Sequence, residues 1–202
     1  MVSKIPIMPV PFPPVKRDTP VSPRENLMRA LNHEKPVWMP DLYRDSQFVT
    51  CRSSRDMAPS KGAAGRDWFG TNYIYSDTAG CNMPAGGVLN DVTEWREKIR
   101  WPDLASMDWS HDRDGFERDE NLALYSRLSN GIFERLHAFE GFEQCLLDLI
   151  TEPDACRDLF NRIADYKIEL AMKVHRSVPS GFYRLRRRLR HRAGALFLHG
   201  DV

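Results

Sequence analysis

The sequence lacks any run of eighteen apolar residues, so it predicts no membrane-spanning helix. It is poor in cysteine, with only Cys51, Cys81, Cys145 and Cys156, and no two of these form a C-x-x-C pair. A zinc-spaced Cys/His set is missing, as are G-x-G-x-x-G, the P-loop, H-E-x-x-H and G-x-S-x-G. Those absences remove the motif-borne forms of dinucleotide binding, nucleotide hydrolysis, zinc proteolysis and serine-hydrolase chemistry. A continuous apolar stretch near the start is also missing. Seven prolines fall within the first 23 residues and interrupt every candidate signal segment. Few cysteines and no export signal lead to the expectation of a reduced, cytoplasmic protein.

What the chain does have is ordinary globular material. It has 202 residues, 42% of them hydrophobic and 28% charged, enough apolar content to bury a core of one domain or one and a half. The near-neutral total of +1 conceals an uneven distribution. Residues 176–202 carry seven arginines and one acid, which leaves −5 on the 175 residues before them.

Three regions follow. Residues 1–22 read as an extended proline-rich arm, because proline fixes φ and lacks the amide donor that a helix interior or central strand needs. Residues 23–175 read as the folded domain, and 176–202 as a basic tail. Within the domain, Ser22-Pro23-Arg24-Glu25 is a helix start, with Ser22 as N-cap. Val37 to Pro40 is expected to be a first buried strand, residues 46–66 irregular, and residues 68–92 a strand followed by a hairpin-like excursion. Thr93 is expected to cap a short helix over Glu94 to Ile99, closed by Trp101-Pro102. Residues 118–129 suit a helix, and Ile132 to Phe139 a strand that Gly141 ends. Phe142, Cys145, Leu146, Leu149 and Ile150 form one apolar face. After a break at Glu152-Pro153, a long amphipathic helix runs from Asp154. Strands alternating with helices predict an α/β protein with parallel βα units.

Few side chains stand out chemically. Asp77, after Tyr75-Ser76 at the end of an apolar run, is the candidate catalytic carboxylate; its structural alternative is an Asx residue that starts a turn before Thr78-Ala79-Gly80. His137, within the expected strand, is a candidate substrate ligand, with a satisfied core histidine as the alternative. His111 lies in a charged loop where solvation accounts for it. Cys81 and Cys145 are too far apart in the chain to make a convincing metal pair, and no metal ligand is assigned. Gly80 and Gly86-Gly87 fit turn geometry without a phosphate. The tail segment RLRRRLRHR, residues 184–192, has the composition of an anionic-surface or nucleic-acid patch, although only Phe182 and Tyr183 are near it for stacking.

Four segments, in the right order and spacing, resemble the uroporphyrinogen decarboxylase superfamily, which also includes cobalamin-dependent methyltransferases. They are PRENLMRALNHEKPVWMP (23–40), DWFGTNYIYSDTAG (67–80), LNDVTEWREKIRWPDLASMDW (89–109) and GIFERLHAFEGFEQCLLDLITEPDACRDLFNRIADYKIELAMK (131–173). The resemblance implies a (β/α)8 TIM barrel with its active site at the C-terminal ends of the strands. This chain would then be the N-terminal half, with a proline-rich arm in front. In that superfamily the long helix is followed by a strand resembling D-F-I-x-x-x-D-D-x-G-T and then L-F-x-S-P. Here the chain reads GFYRLRRRLRHRAGALFLHGDV instead. With synonymous codons chosen for the match, a one-base forward shift turns this into DFIAYDDDFGTGQGLFFSMEM. The basic tail is therefore expected to be an out-of-frame product of a slip between about His175 and Gly181, which would also account for the charge discontinuity. Nucleic acid is then not the expected partner.

The resemblance separates two activities. The decarboxylases carry R-Q-A-G-R-Y after the first strand to hold substrate carboxylates. This chain has Asp41-Leu42-Tyr43-Arg44-Asp45 there, so Arg44 remains a candidate anion ligand offset by two acids. The decarboxylase segment F-S-D-I-L is matched by Tyr75-Ser76-Asp77 only in part. These departures favour the methyltransferase branch, whose intact members use zinc to activate a thiol and take a methyl group from a corrinoid, as a small molecule or on a corrinoid protein. The zinc ligands of that branch lie beyond residue 202, and His199, inside the shifted tail, is not one. No cofactor is expected within the fragment itself. The alternatives are a uroporphyrinogen decarboxylase, a non-catalytic anion- or nucleic-acid-binding protein using the tail, and a decayed product without activity. A half barrel leaves a parallel edge uncovered, so self-association is expected and membrane attachment is not.

Overall fold

The first helix forms where local chemistry requires it. Ser22 Oγ accepts the Glu25 amide at 3.1 Å and Pro23 occupies the first turn, giving α1 (Pro23–Leu31). The computed structural model describes residues 18–48, 56, 65–85, 87–113, 117–125, 128 and 130–177. Most of the proline arm, Cys51 and the tail from residue 178 lie outside them.

Five short strands and four further helices follow. They are β1 (Ser46–Phe48), β2 (Gly65–Arg66), β3 (Asn72–Ser76), β4 (Cys81–Pro84), α2 (Trp95–Lys98), β5 (Ala123–Tyr125), α3 (Ile132–Glu140), α4 (Phe142–Thr151) and α5 (Pro153–Ser177). β1 pairs with β5 in parallel, in the register Ser46↔Ala123 and Phe48↔Tyr125. β2, β3 and β4 form a separate antiparallel sheet. The protein is thus mixed α/β with small sheets. Among the described residues no helix is long and apolar enough to cross a membrane.

The expected hairpin over 68–92, the α4 helix and the long helix from the Glu152-Pro153 break are all present. Four local expectations are corrected. Val37 to Pro40 is not a strand: Asn26 Oδ1 accepts the Val37 and Trp38 amides at 2.6 and 3.3 Å, and Asn26 Nδ2 donates to Trp38 O at 3.0 Å. One buried side chain thereby satisfies the backbone groups that a strand neighbour would have paired. The parallel strand is β1, within the stretch expected to be irregular.

Of the expected helix over 118–129, residues 118–125 are not helical, and 126, 127 and 129 lie outside the described residues. Asp119 Oδ1 accepts the Asn121 amide at 2.9 Å, while Gln47 on β1 donates to Glu117 O and accepts the Asp119 amide. These side-chain bonds compete with helical ones and lead the chain into β5. Residues 132–139 are helix, not strand. Alternation would place Arg135 and His137 on one face and Glu134 on the other, leaving neither face apolar. Helical spacing instead gathers Leu136 and Phe139 into the core. The short helix is led by a 3-10 turn (Val92–Glu94) that Asp91, not Thr93, caps, with the Thr93 amide donating to Asp91 Oδ1 at 2.8 Å.

The core lies where α3, α4 and α5 meet the segment 88–109. Phe69 sits at its centre, with ring centroids 5.2 Å from Phe139, 5.2 Å from Tyr166 and 5.5 Å from Trp101, all edge-on. α4 is less well covered. Cys145 and Asp148 are buried, but Phe142, Leu146, Leu147 and Ile150 remain exposed, Ile150 at 80%.

Candidate functional site

The strongest concentration of chemistry is a sealed network of four charges. Arg135, on the inner face of α3, is fully buried. Its Nη1 donates to Asp67 Oδ2 at 2.5 Å, and its Nη2 donates to Asp56 Oδ1 at 2.9 Å and Asp56 O at 2.8 Å. Lys167 of α5 completes it with an ion pair to Asp56 Oδ2. Two cations thus meet two carboxylates, so the interior carries no net charge from this group.

Local structure aims each member. Asp67 closes the turn before β3: its Oδ1 accepts the Phe69 and Thr71 amides at 2.9 and 3.0 Å, and Tyr73 donates its hydroxyl to Oδ2 at 3.3 Å. Asn130 Nδ2 donates to Asp56 O at 2.8 Å. The Arg135 guanidinium lies 4.5 Å from the Phe69 ring centre, which sheathes it in aromatic surface.

Burial dominates the electrostatics. It pushes the Asp56 carboxyl upward, against the opposing pull of Lys167 and Arg135. It lowers Lys167, with Asp56 pulling back. It also works against the Arg135 cation, but Asp56 and Asp67 outweigh it and raise that group. Tyr73 is pushed up to about 12, chiefly by burial, and Tyr166 is pushed up for the same first reason. The Arg135 guanidinium is shut off from solvent, so the network does not present it at the surface. Its chemistry is to bind the turn before β3 and the Asp56 segment to α3 and α5.

An open groove borders the first turn of α3. It has a volume of about 500 Å³ and is lined by Gly131, Ile132, Phe133, Glu134, Leu149 and Phe160. Its wall from Gly131 to Glu134 is the first turn of α3, which the chain enters from the C-terminal end of β5. Glu134 folds back over Gly131: a Cβ there would lie 2.3 Å from Glu134 Oε2. The groove is therefore apolar with one carboxylate at a helix N-terminus.

The three residues singled out by sequence lie on three different elements. Asp77 is exposed in the four-residue turn joining β3 to β4, where Ser76 Oγ accepts the Ala79 amide at 3.2 Å. Arg44 precedes β1, with its Nε 3.5 Å from Asp41 Oδ2. His137 is half-buried on α3, its ring edge-on to Phe142 with centroids 5.5 Å apart. Burial lowers its pKa, with Glu134 opposing. His137 lies one turn beyond the groove wall and is the nearest of the three to it in sequence.

Sequence reasoning missed Asp56, Asp67, Arg135 and Lys167. Arg135 gave the one available signal, an arginine in the middle of the apolar segment IFERLHAF. Among the described residues no group of three or more His, Cys, Asp or Glu side chains is placed to hold a metal ion. No family model, no curated protein and no solved structure matches this chain.

Proposed function

We propose that this chain is the N-terminal portion of a (β/α)8 barrel of the uroporphyrinogen decarboxylase superfamily, and that its intact form is a corrinoid-dependent methyltransferase acting on a thiol or related acceptor. The observation that supports this reading best is the parallel pairing of β1 with β5, with α3 following β5. A crossover between parallel strands is the repeating unit of such barrels. Asp77 follows β3, whereas Arg44 comes before the first strand, β1, and not after it as the resemblance implies. On this reading the groove beside the first turn of α3 receives part of a small-molecule substrate.

The ion pair of Arg44 with Asp41 favours methyl transfer over decarboxylation. A guanidinium already offset by its own chain is a poor anchor for a polycarboxylate substrate. Zinc and the corrinoid belong to the intact relative, with ligands beyond residue 202. The short parallel pair and the exposed α4 face also favour self-association of the fragment.

Sequencing the gene through codons 165–210 and several hundred bases beyond tests the reading. The expected result is a one-base slip, with D-F-I…D-D…G-T and further barrel strands in the adjacent frame. The frame-restored protein, loaded with zinc, should then demethylate methylcobalamin in the presence of a thiol. An in-frame gene with no barrel downstream refutes the proposal and turns attention to the arginine tail.

A further inference from the structure

The C-terminal end of α3 carries buried acid chemistry that the ion network does not use. Both carboxyl oxygens of Glu140 are closed to solvent and have no hydrogen-bond partner among the described residues. Glu140 is the last residue of α3, and Gly141, at φ +95°, turns the chain straight into α4. On α4, Asp148 is only 5% exposed; Gln144 donates to its Oδ1 at 2.7 Å, and its Oδ2 has no partner. Two consecutive helices thus each carry a carboxyl group with unpartnered buried oxygens, three in all among the described residues, and Asp148 acts electrostatically on Glu140. Unpaired ionised oxygens in such a place are costly, and a proton is the smallest cation that relieves them.

The surroundings offer no other relief. Asp91 acts on Glu140 from the segment before α2, and Asp148 from α4. Cys145 on α4 and Cys156 on α5 are buried free thiols that burial and these acids keep protonated, and Glu152 at the α4–α5 junction adds a further negative charge near Cys156. All three influences on Glu140 act in one direction: burial first, then Asp148 and Asp91, pushing it up to about 7.

We propose that Glu140 and Asp148 form a proton-dependent latch, in which a proton held on Glu140 seats α4 against α3 and α5 and its loss loosens α4. The proposal is independent of the enzymatic reading. It makes the groove conditional on pH, because Leu149 on α4 forms one of its walls.

The sign follows from linkage. Folded Glu140 keeps its proton where the unfolded chain, with the ordinary value of 4.5, has lost it. Stability from the latch is complete at low pH, falls as pH rises between about 4.5 and about 7, and is flat above. His137 and His175, both lowered by burial, titrate nearby with the opposite sign, so the test must read a difference.

Urea unfolding of the full chain and of Glu140→Gln, followed by far-ultraviolet ellipticity from pH 5 to 8, provides it. The folding constant of the parent should fall about tenfold or more relative to Glu140→Gln across this range. Asp148→Asn should move the midpoint of that fall to lower pH. Parallel profiles for parent and Glu140→Gln overturn the latch. Should Glu140→Gln not fold, infrared titration of the parent decides. A carboxylic-acid carbonyl band present at pH 6 and lost near pH 7, with its midpoint lowered in Asp148→Asn, supports the latch; absence of that band overturns it.

Discussion

Replacing Arg135 by methionine removes the cation from between two buried carboxylates while retaining most of the side-chain volume. The structure sets the consequence. Asp67 loses a 2.5 Å ion pair but keeps its bonds from the Phe69 and Thr71 amides and from Tyr73, so it stays in place with an uncompensated charge. Asp56 loses the 2.9 Å ion pair and its backbone carbonyl loses a 2.8 Å bond, while Lys167 remains beside it. Breaking a buried pair from one side costs about 3–5 kcal/mol. That is a large share of the roughly 5–15 kcal/mol typical of a whole domain. Arg135→Lys keeps a charge but cannot bridge both acids, and should cost about 1.5–3 kcal/mol. Adding Asp67→Asn to Arg135→Met should restore part of the loss, giving a coupling of about 2 kcal/mol in a double-mutant cycle. Urea denaturation read by tryptophan fluorescence measures each term. A cost below about 1 kcal/mol for Arg135→Met, or additive double mutants, would refute the view that these charges hold the fold together.

Three further predictions follow from single contacts. Asn26→Ala should cost about 2–3 kcal/mol, because it strands the Val37 and Trp38 amides that Asn26 Oδ1 accepts, and hydrogen exchange at those two amides should accelerate first. Gly87→Ala should destabilise by about 1–3 kcal/mol, since a Cβ would meet Leu89 O and Phe139 O at 2.7 Å, both backbone atoms with little room to move; chemical denaturation provides the check. Ile150→Glu, at a residue 80% exposed, should change stability by less than about 0.5 kcal/mol yet reduce self-association in sedimentation velocity. Unchanged association would remove α4 from the self-contact surface.

Legibility tracked the range of the interactions. Ser22, Pro23 and Glu25 announce α1 because the cap acts within three residues, and α5 is visible because an apolar stripe repeats over 25 residues. The three-residue strands β1 and β5 have no periodicity to detect, and charged neighbours at 117–121 conceal the second. The segment 132–139 is short and bounded by glycines, which invites a strand reading, but only the helical period gathers Leu136 and Phe139 on one buried face. The ion network was the least visible feature. Its partners are 68, 79 and 111 residues apart, and no spacing rule links them. Each member also has an ordinary surface explanation on its own. Asp77 could be read as a turn residue from the glycine three positions on, and it does lie in that turn.

The two ends of the domain are held by different forces, which bears on what the chain needs from its surroundings. The C-terminal part rests on apolar packing, with α5 burying Leu159, Ile163, Tyr166, Leu170 and Val174 along one face. The N-terminal part rests on side chains bonded to backbone: Asn26 to residues 37 and 38, Gln47 to residues 117 and 119, and Asp45 Oδ2 accepting from the Trp38 indole and the Asp41 amide. Those bonds position β1 against β5 but bury little apolar surface. A parallel pair three residues long is weak without neighbouring strands, since parallel sheets draw their stability from cover on both faces. The Arg135 network fixes a third region, the Asp56 segment and the turn before β3, to α3 and α5. The strand pair lies outside that network, because Asp56 and Asp67 belong to neither β1 nor β5, so its placement leans on the side-chain bonds of Asp45 and Gln47.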